Sequence, residues 1–291
     1  MSDTPRTTPR TDTVADAPAT APADAAPAPL VRVTYGLEPG ITTLTLDSPA
    51  NRNALSRRLV AELYAALDAA ERHEPTRAVL LGHTGGTFCA GADLSEASTA
   101  VTSGEPATSS EAADAGSPHG LARLLRRVVA FRKPVVARVE GHVRAGGTGL
   151  LGACDISVAG PGATFAFTEA RLGLAPAVIS LPLLPRLDPR AASRYFLTGE
   201  RFDAAEAARI GLVTLAAPDP DAALAGVLDG LRRGSPQGLA ESKALVTAEL
   251  LRAFDRQTDS LAALSTRLFA SAEAREGMTA FLERRDPEWL S

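Results

Sequence analysis

Two cysteines in 291 residues, Cys89 and Cys154, are too few for a disulfide framework or a multi-thiol metal site, and a reducing cytoplasmic setting is expected. No stretch approaches the roughly 18 consecutive apolar residues that a spanning helix needs. Basic residues are not in excess: 30 Lys and Arg against 34 Asp and Glu leave a formal net charge of -4. Such a balance offers no clustered basic surface to nucleic acid or an anionic membrane, so neither is expected as a partner. His73 and His83 lack metal-like spacing, and no metal is expected. The first 29 residues, rich in Ala, Pro and Thr, have no apolar h-region, and Asp3, Asp12, Asp16 and Asp24 argue against a transit peptide. They read as a disordered tail with too little apolar surface to offset the entropy of ordering it. What remains is 45% hydrophobic and 22% charged over the whole chain, enough to bury a sizeable core.

Periodicity begins at Leu30. LVRVTYG and ITTLTLD alternate apolar with polar residues around EPG, which predicts a hairpin of two half-buried strands. Leu59, Val60, Leu63, Tyr64 and Leu67 recur at helical spacing between Ser56 and Glu71. AVLLG reads as a buried strand that runs into the glycine-rich HTGGTFCAGADL. The stretch from Ser95 to Pro118 has almost no large apolar residues and reads as a mobile loop. A helix from Leu121 to Phe131 follows, then a strand PVVARVEG, a turn HVRAGG, a short helix near GTGLLGAC and a strand DISVAG. TFAFTEARLGLAP opens another strand and loop, and beyond Pro189 the pattern is mostly helical. Strands alternating with helices predict an α/β core over residues 30–215 and a helical C-terminal region over 216–291 that serves as lid or oligomerisation surface.

Gly147 to Gly152 fits the dinucleotide pattern G-x-G-x-x-G. The fit fails on context, because DISVAG follows without room for a crossover helix and ends in Gly160 and Pro161 instead of an acid for the ribose. FCAGADL and VRAGGTGL instead each follow a buried strand and can free backbone N–H groups at a helix start. Such donors, aided by the helix dipole, stabilise negative charge that develops on an oxygen.

With these residues assembled, FCAGADL, GHVRAGGTGLLGACD and FTEARLGLAP resemble the crotonase, or enoyl-CoA hydratase/isomerase, family. SPANRNALS resembles its opening CoA-contact turn and FLTGERFDAAEAARIGLV a later helical segment, so the likeness runs from about Leu30 to Trp289. The resemblance implies a spiral of ββα units with an added helical region, assembled as trimers or dimers of trimers. It implies an oxyanion hole made by the N–H groups of Ala92 and Gly146, and CoA contacts near Arg52, Ala54, Ala90, Asp93 and Leu94. It implies no separate cofactor, since CoA enters as part of an acyl-CoA substrate.

Hydratases of this family usually carry two glutamates. Glu169 matches the second, whereas the first position is Gly149. A group that takes or gives a proton at C2 must be a partly buried acid with a pKa raised towards neutrality, and the apolar surroundings of Glu169 suit that. The plain alternative for Glu169 is an ion pair with Arg171. Gly149 reads as a packing glycine and as a deleted acid that widens the acyl pocket on the substrate side, two readings that can hold together. EARLGLAPAVIS resembles hydratases for branched or bulky acyl-CoAs, so the expected reaction is hydration of a 2-enoyl-CoA. Isomerisation by Glu169 alone and a silent acyl-CoA-binding protein stand as alternatives. Glu140, His142 and Arg144 precede the oxyanion turn and are read as surface or interface residues that could supply a second polar group. His119 is a candidate lid residue.

Overall fold

The computed structural model describes residues 27–93, 96 and 116–290. The reading of a disordered tail therefore falls, apart from its last three residues, outside the described residues, as does most of the stretch read as a mobile loop.

β1 (Val31–Glu38) and β2 (Ile41–Leu46) form the expected antiparallel hairpin, turned at Gly40 with φ +72°. Only glycine holds that conformation without a Cβ penalty. α1 (Arg57–Arg72) starts where Ser56 Oγ accepts the Leu59 N–H at 3.2 Å, and it buries Leu59, Val60, Leu63, Ala66, Leu67 and Ala70. β3 (Ala78–His83) then pairs parallel to β2.

From here the chain alternates between two sheets. β4 (Thr87–Cys89) leaves the first sheet, α2 (Pro118–Ala130) returns, and β5 (Val135–Val139) rejoins beside β3. β6 (His142–Arg144) and α3 (Gly146–Ala153) repeat the passage, followed by β7 (Ile156–Ala159) and β8 (Thr164–Ala166). The result, once β9 (Phe202–Asp203) and β10 (Leu215–Ala216) are added, is a six-stranded sheet ordered β1-β2-β3-β5-β7-β10 and a four-stranded sheet ordered β4-β6-β8-β9. This is the α/β spiral of strand, strand, helix. HVRAGG, read as a turn, contributes β6 instead. Three residues are too short for alternation to show, and register with Thr87 and Thr164 makes the strand.

α4 (Ser180–Leu183), α5 (Pro189–Thr198), β9 (Phe202–Asp203), α6 (Ala204–Arg209) and β10 (Leu215–Ala216) complete the core. Three helices follow: α7 (Pro220–Arg233), α8 (Pro236–Phe269) and α9 (Ala272–Glu283). α8, with 34 residues, crosses back against α2. α9 packs on the Glu169–Leu172 turn so closely that a Cβ on Gly277 would lie 2.6 Å from the Leu172 carbonyl carbon. Among the described residues no helix is long and apolar enough to cross a membrane.

Candidate active site

β4 and β6 run parallel as neighbours, so the segments that leave their C-terminal ends, Ala90–Ala92 and Ala145–Gly146, emerge side by side. The approach is close: a Cβ on Gly91 would stand 3.0 Å from the Gly146 nitrogen, and one on Gly146 would stand 3.4 Å from the Ala92 nitrogen. Gly91, at φ +95°, is fixed from the other side by its carbonyl, which accepts the Leu55 N–H at 2.8 Å. Ala145 sits at φ 44°, ψ -122°, a conformation costly for a residue with a Cβ. That residue precedes the first amide of α3, and first-turn amides have no acceptor within their own helix. Among the described residues no carbonyl accepts the N–H of Ala92 or of Gly146. Both line one cleft of about 810 Å³.

Glu169 opens the turn after β8 and lines the same cleft, yet only 8% of its surface is exposed. Its Oε2 is buried with no hydrogen-bond partner among the described residues. Burial pushes its carboxyl up to about 7, against an ordinary 4.5. The ion pair with Arg171 is not formed: Arg171 turns away and donates through Nε to the Thr198 carbonyl at 2.8 Å. Such a carboxyl is half protonated near neutrality and can both accept and return a proton.

The opening of the cleft is lined by Ala50, Asn51, Arg52, Ala54, Ala90 and Asp93, and Asn51 Nδ2 donates to Asp93 at 2.9 Å. Leu174 to Ile179, Leu121 and Phe269 supply an apolar wall. Among the described residues no group of three or more His, Cys, Asp or Glu could hold a metal ion.

The sequence model of the enoyl-CoA hydratase/isomerase family matches residues 36–291. The chain belongs to that family. It is 33% identical over 258 residues to enoyl-CoA hydratase EchA19 of Mycobacterium tuberculosis, covering 84% of this chain and 91% of that protein. It is 30% identical over 258 residues to the 1,2-epoxyphenylacetyl-CoA isomerase of Escherichia coli, covering 87% and 96%. The crystal structure of an enoyl-CoA hydratase from Mycobacterium avium superposes with a TM-score of 0.80 at 53% identity, covering 89% of this chain and 98% of that one.

Within this family member, the structure brings Arg52, Ala54, Ala90, Ala92, Asp93, Gly146 and Glu169 to one cleft, and Leu94 lies outside the described residues. Gly149 requires a correction. It does not line the cleft, and a Cβ there would stand 2.6 Å from Ile179 Cγ2 and 3.2 Å from Leu125 Cδ1. The missing acid leaves no widened pocket, because Ile179 fills the space. Glu140 also stays out of the cleft, its carboxylate 3.7 Å from Arg138. His119 faces Asp259 at 3.7 Å. His142 and Arg144, read as surface or interface residues, line the cleft together with Thr164 and Arg201. The sequence signal for them was their i, i+2 spacing on a strand too short to recognise. Ser265, on α8, lines the cleft from nearly a hundred residues beyond Glu169, and no local pattern marks it.

Proposed function

We propose that the cleft hydrates a 2-enoyl-CoA through a thioester enolate. The observation that carries this reading is one buried carboxyl with an unpartnered oxygen in the same cleft as two amides that no described carbonyl accepts from. The thioester oxygen takes the Ala92 and Gly146 N–H groups, which are strongest when that oxygen becomes an enolate. Ionised Glu169 removes a proton from water as its oxygen bonds to C3. The electron pair of the double bond moves to the enolate, and the same proton then returns to C2. Backbone donors suit the task, because no side-chain substitution deletes them. The mouth near Arg52 and Asp93 takes the CoA portion, and the wall from Leu174 to Ile179 takes the acyl chain. A branched or bulky acyl group is our reading of the substrate, and a trimer or dimer of trimers our reading of the assembly.

One observation favours a second reading. The acids of the described cleft lining are Asp93, at the mouth, and Glu169, so one carboxyl faces the reacting carbons. A single base suffices to carry a proton between C2 and C4, as in a 3-enoyl to 2-enoyl isomerase. Crotonyl-CoA and bulkier 2-enoyl and 3-enoyl thioesters, followed by absorbance of the conjugated enoyl group, separate the two. Loss of conjugation marks hydration and gain marks isomerisation. Binding without either change overturns both and leaves an acyl-CoA-binding protein.

A further inference from the structure

β6 places Val143 in the core and turns His142 and Arg144 to the opposite face, where Thr87 on β4 and Thr164 on β8 stand in register with His142. Arg144 is half-buried and held rigidly. Its Nη1 donates to the carbonyls of Thr164 at 2.6 Å and Val143 at 2.9 Å, and its Nη2 donates to Thr164 Oγ1 at 2.8 Å. Thr164 Oγ1 in turn lies 2.7 Å from His142 Nδ1. That hydroxyl, with two lone pairs and one proton, accepts from the guanidinium and joins the imidazole to the same network.

No described carboxylate answers this charge. Neither Arg144 nor Arg201 has an acidic partner within ion-pair distance among the described residues. Arg144 is instead lowered by burial and by Arg201, and His142 is lowered by burial and by both arginines. The nearest acid in register, Asp203 opposite Thr164, spends its Oδ1 on the Glu206 N–H at 2.9 Å as the cap of α6. Two guanidiniums that repel one another in a ligand cleft, one of them fixed by three hydrogen bonds, are arranged for an anion. Arg144 is also two residues from Gly146, so the two Cα atoms are at most about 7 Å apart, and both residues line the same cleft.

We propose that Arg144, Arg201 and His142 form a subsite for an oxyanion, carboxylate or phosphate, carried by the thioester substrate. The subsite rests on the acyl-CoA reading of the cleft. Its sources are an acid group on the acyl chain or the phosphates of CoA. Calorimetric titration of the parent protein and of the Arg144→Met and Arg201→Met variants with butyryl-CoA, glutaryl-CoA and butyryl-pantetheine distinguishes them. Each variant is expected to lose about tenfold in affinity for whichever ligand bears the recognised anion, as for a charge-assisted hydrogen bond. Loss confined to glutaryl-CoA assigns the acyl carboxylate. Equal loss for both CoA esters, spared in butyryl-pantetheine, assigns a phosphate. Unchanged affinity for all three ligands overturns the subsite. So does a change in oligomeric mass without a change in affinity, which would make the arginines a contact between copies of this chain. Arg201 is exposed, so its variant keeps the test open if Arg144→Met fails to fold. If the parent protein binds neither CoA ester, the acyl-CoA reading itself has failed.

Discussion

At the residue scale the active-site proposal reduces to Glu169. As the base it must be ionised, so kcat/KM is expected to fall about tenfold for each pH unit below about 7, the value to which burial raises it. A profile flat from pH 5 to 8 would remove it from the rate-limiting proton transfer. Glu169→Gln is expected to lower turnover at least about a hundredfold with little change in ligand affinity. The same residue makes a stability prediction of definite sign. Folded protein holds the proton up to about 7, whereas the ordinary value is 4.5, so the folded state binds more protons between those values. Stability from this group is full below 4.5 and is lost as pH rises through 7, a difference of about 3 kcal/mol at most. Glu169→Gln, which carries no charge to bury, should therefore gain urea resistance over the parent at pH 8 and show no such gain at pH 4. A variant less stable at pH 8 would mean that the carboxylate has a partner when ionised.

At the scale of elements, what was legible in the sequence was whatever spans enough residues to show a period. α1 announces itself through Leu59, Val60, Leu63 and Leu67, and the β1–β2 hairpin through alternation around Gly40. The two amides were legible because FCAGADL and VRAGGTGL put glycines after strands, where only small residues let two backbones approach. Three-residue β6 was not, and with it went the face that sends His142 and Arg144 into the cleft. For Gly149 the packing reading holds, but that its site adds no pocket space was not legible, because the side chain that fills that space, Ile179, is 30 positions away. Crowding at that point predicts that Gly149→Ala costs about 1–3 kcal/mol by overpacking, and that the double variant with Ile179→Ala costs less than the sum of the two single variants. Urea denaturation of the single and double variants checks it, and strict additivity would show that the two do not meet. Restoring a glutamate at 149 alone should fail to fold or to improve turnover. Ala145, at φ 44°, invites the opposite change. Ala145→Gly should not lower stability and should keep turnover, whereas Ala145→Val should lose both as the Gly146 amide is pulled out of line.

At the scale of the whole molecule, the question is what holds the C-terminal helices at the right distance from the core, since α8 carries Ser265 and Phe269 into the cleft. Lys243, near the start of α8, is only 5% exposed, and its Nζ lies 2.7 Å from Asp155 Oδ2. The ammonium also donates to the carbonyls of Val128 at 3.1 Å and Lys133 at 3.2 Å, while Asp155 Oδ2 accepts the Val135 N–H at 2.7 Å. One charge pair thus joins α8 to the end of α2 and the starts of β5 and β7. Burial raises the Asp155 carboxyl and lowers the Lys243 ammonium, and their mutual attraction opposes both shifts. Two such charges, taken from water, add little net stability together, but one left alone is costly. Lys243→Met should therefore lower stability by about 3–5 kcal/mol, because it strands Asp155 and two carbonyls at once. Adding Asp155→Asn, which keeps an acceptor for Val135 but no charge, should recover part of that loss. If Lys243→Met costs less than about 1 kcal/mol in urea denaturation, the pair is solvated and α8 is held by its apolar face alone.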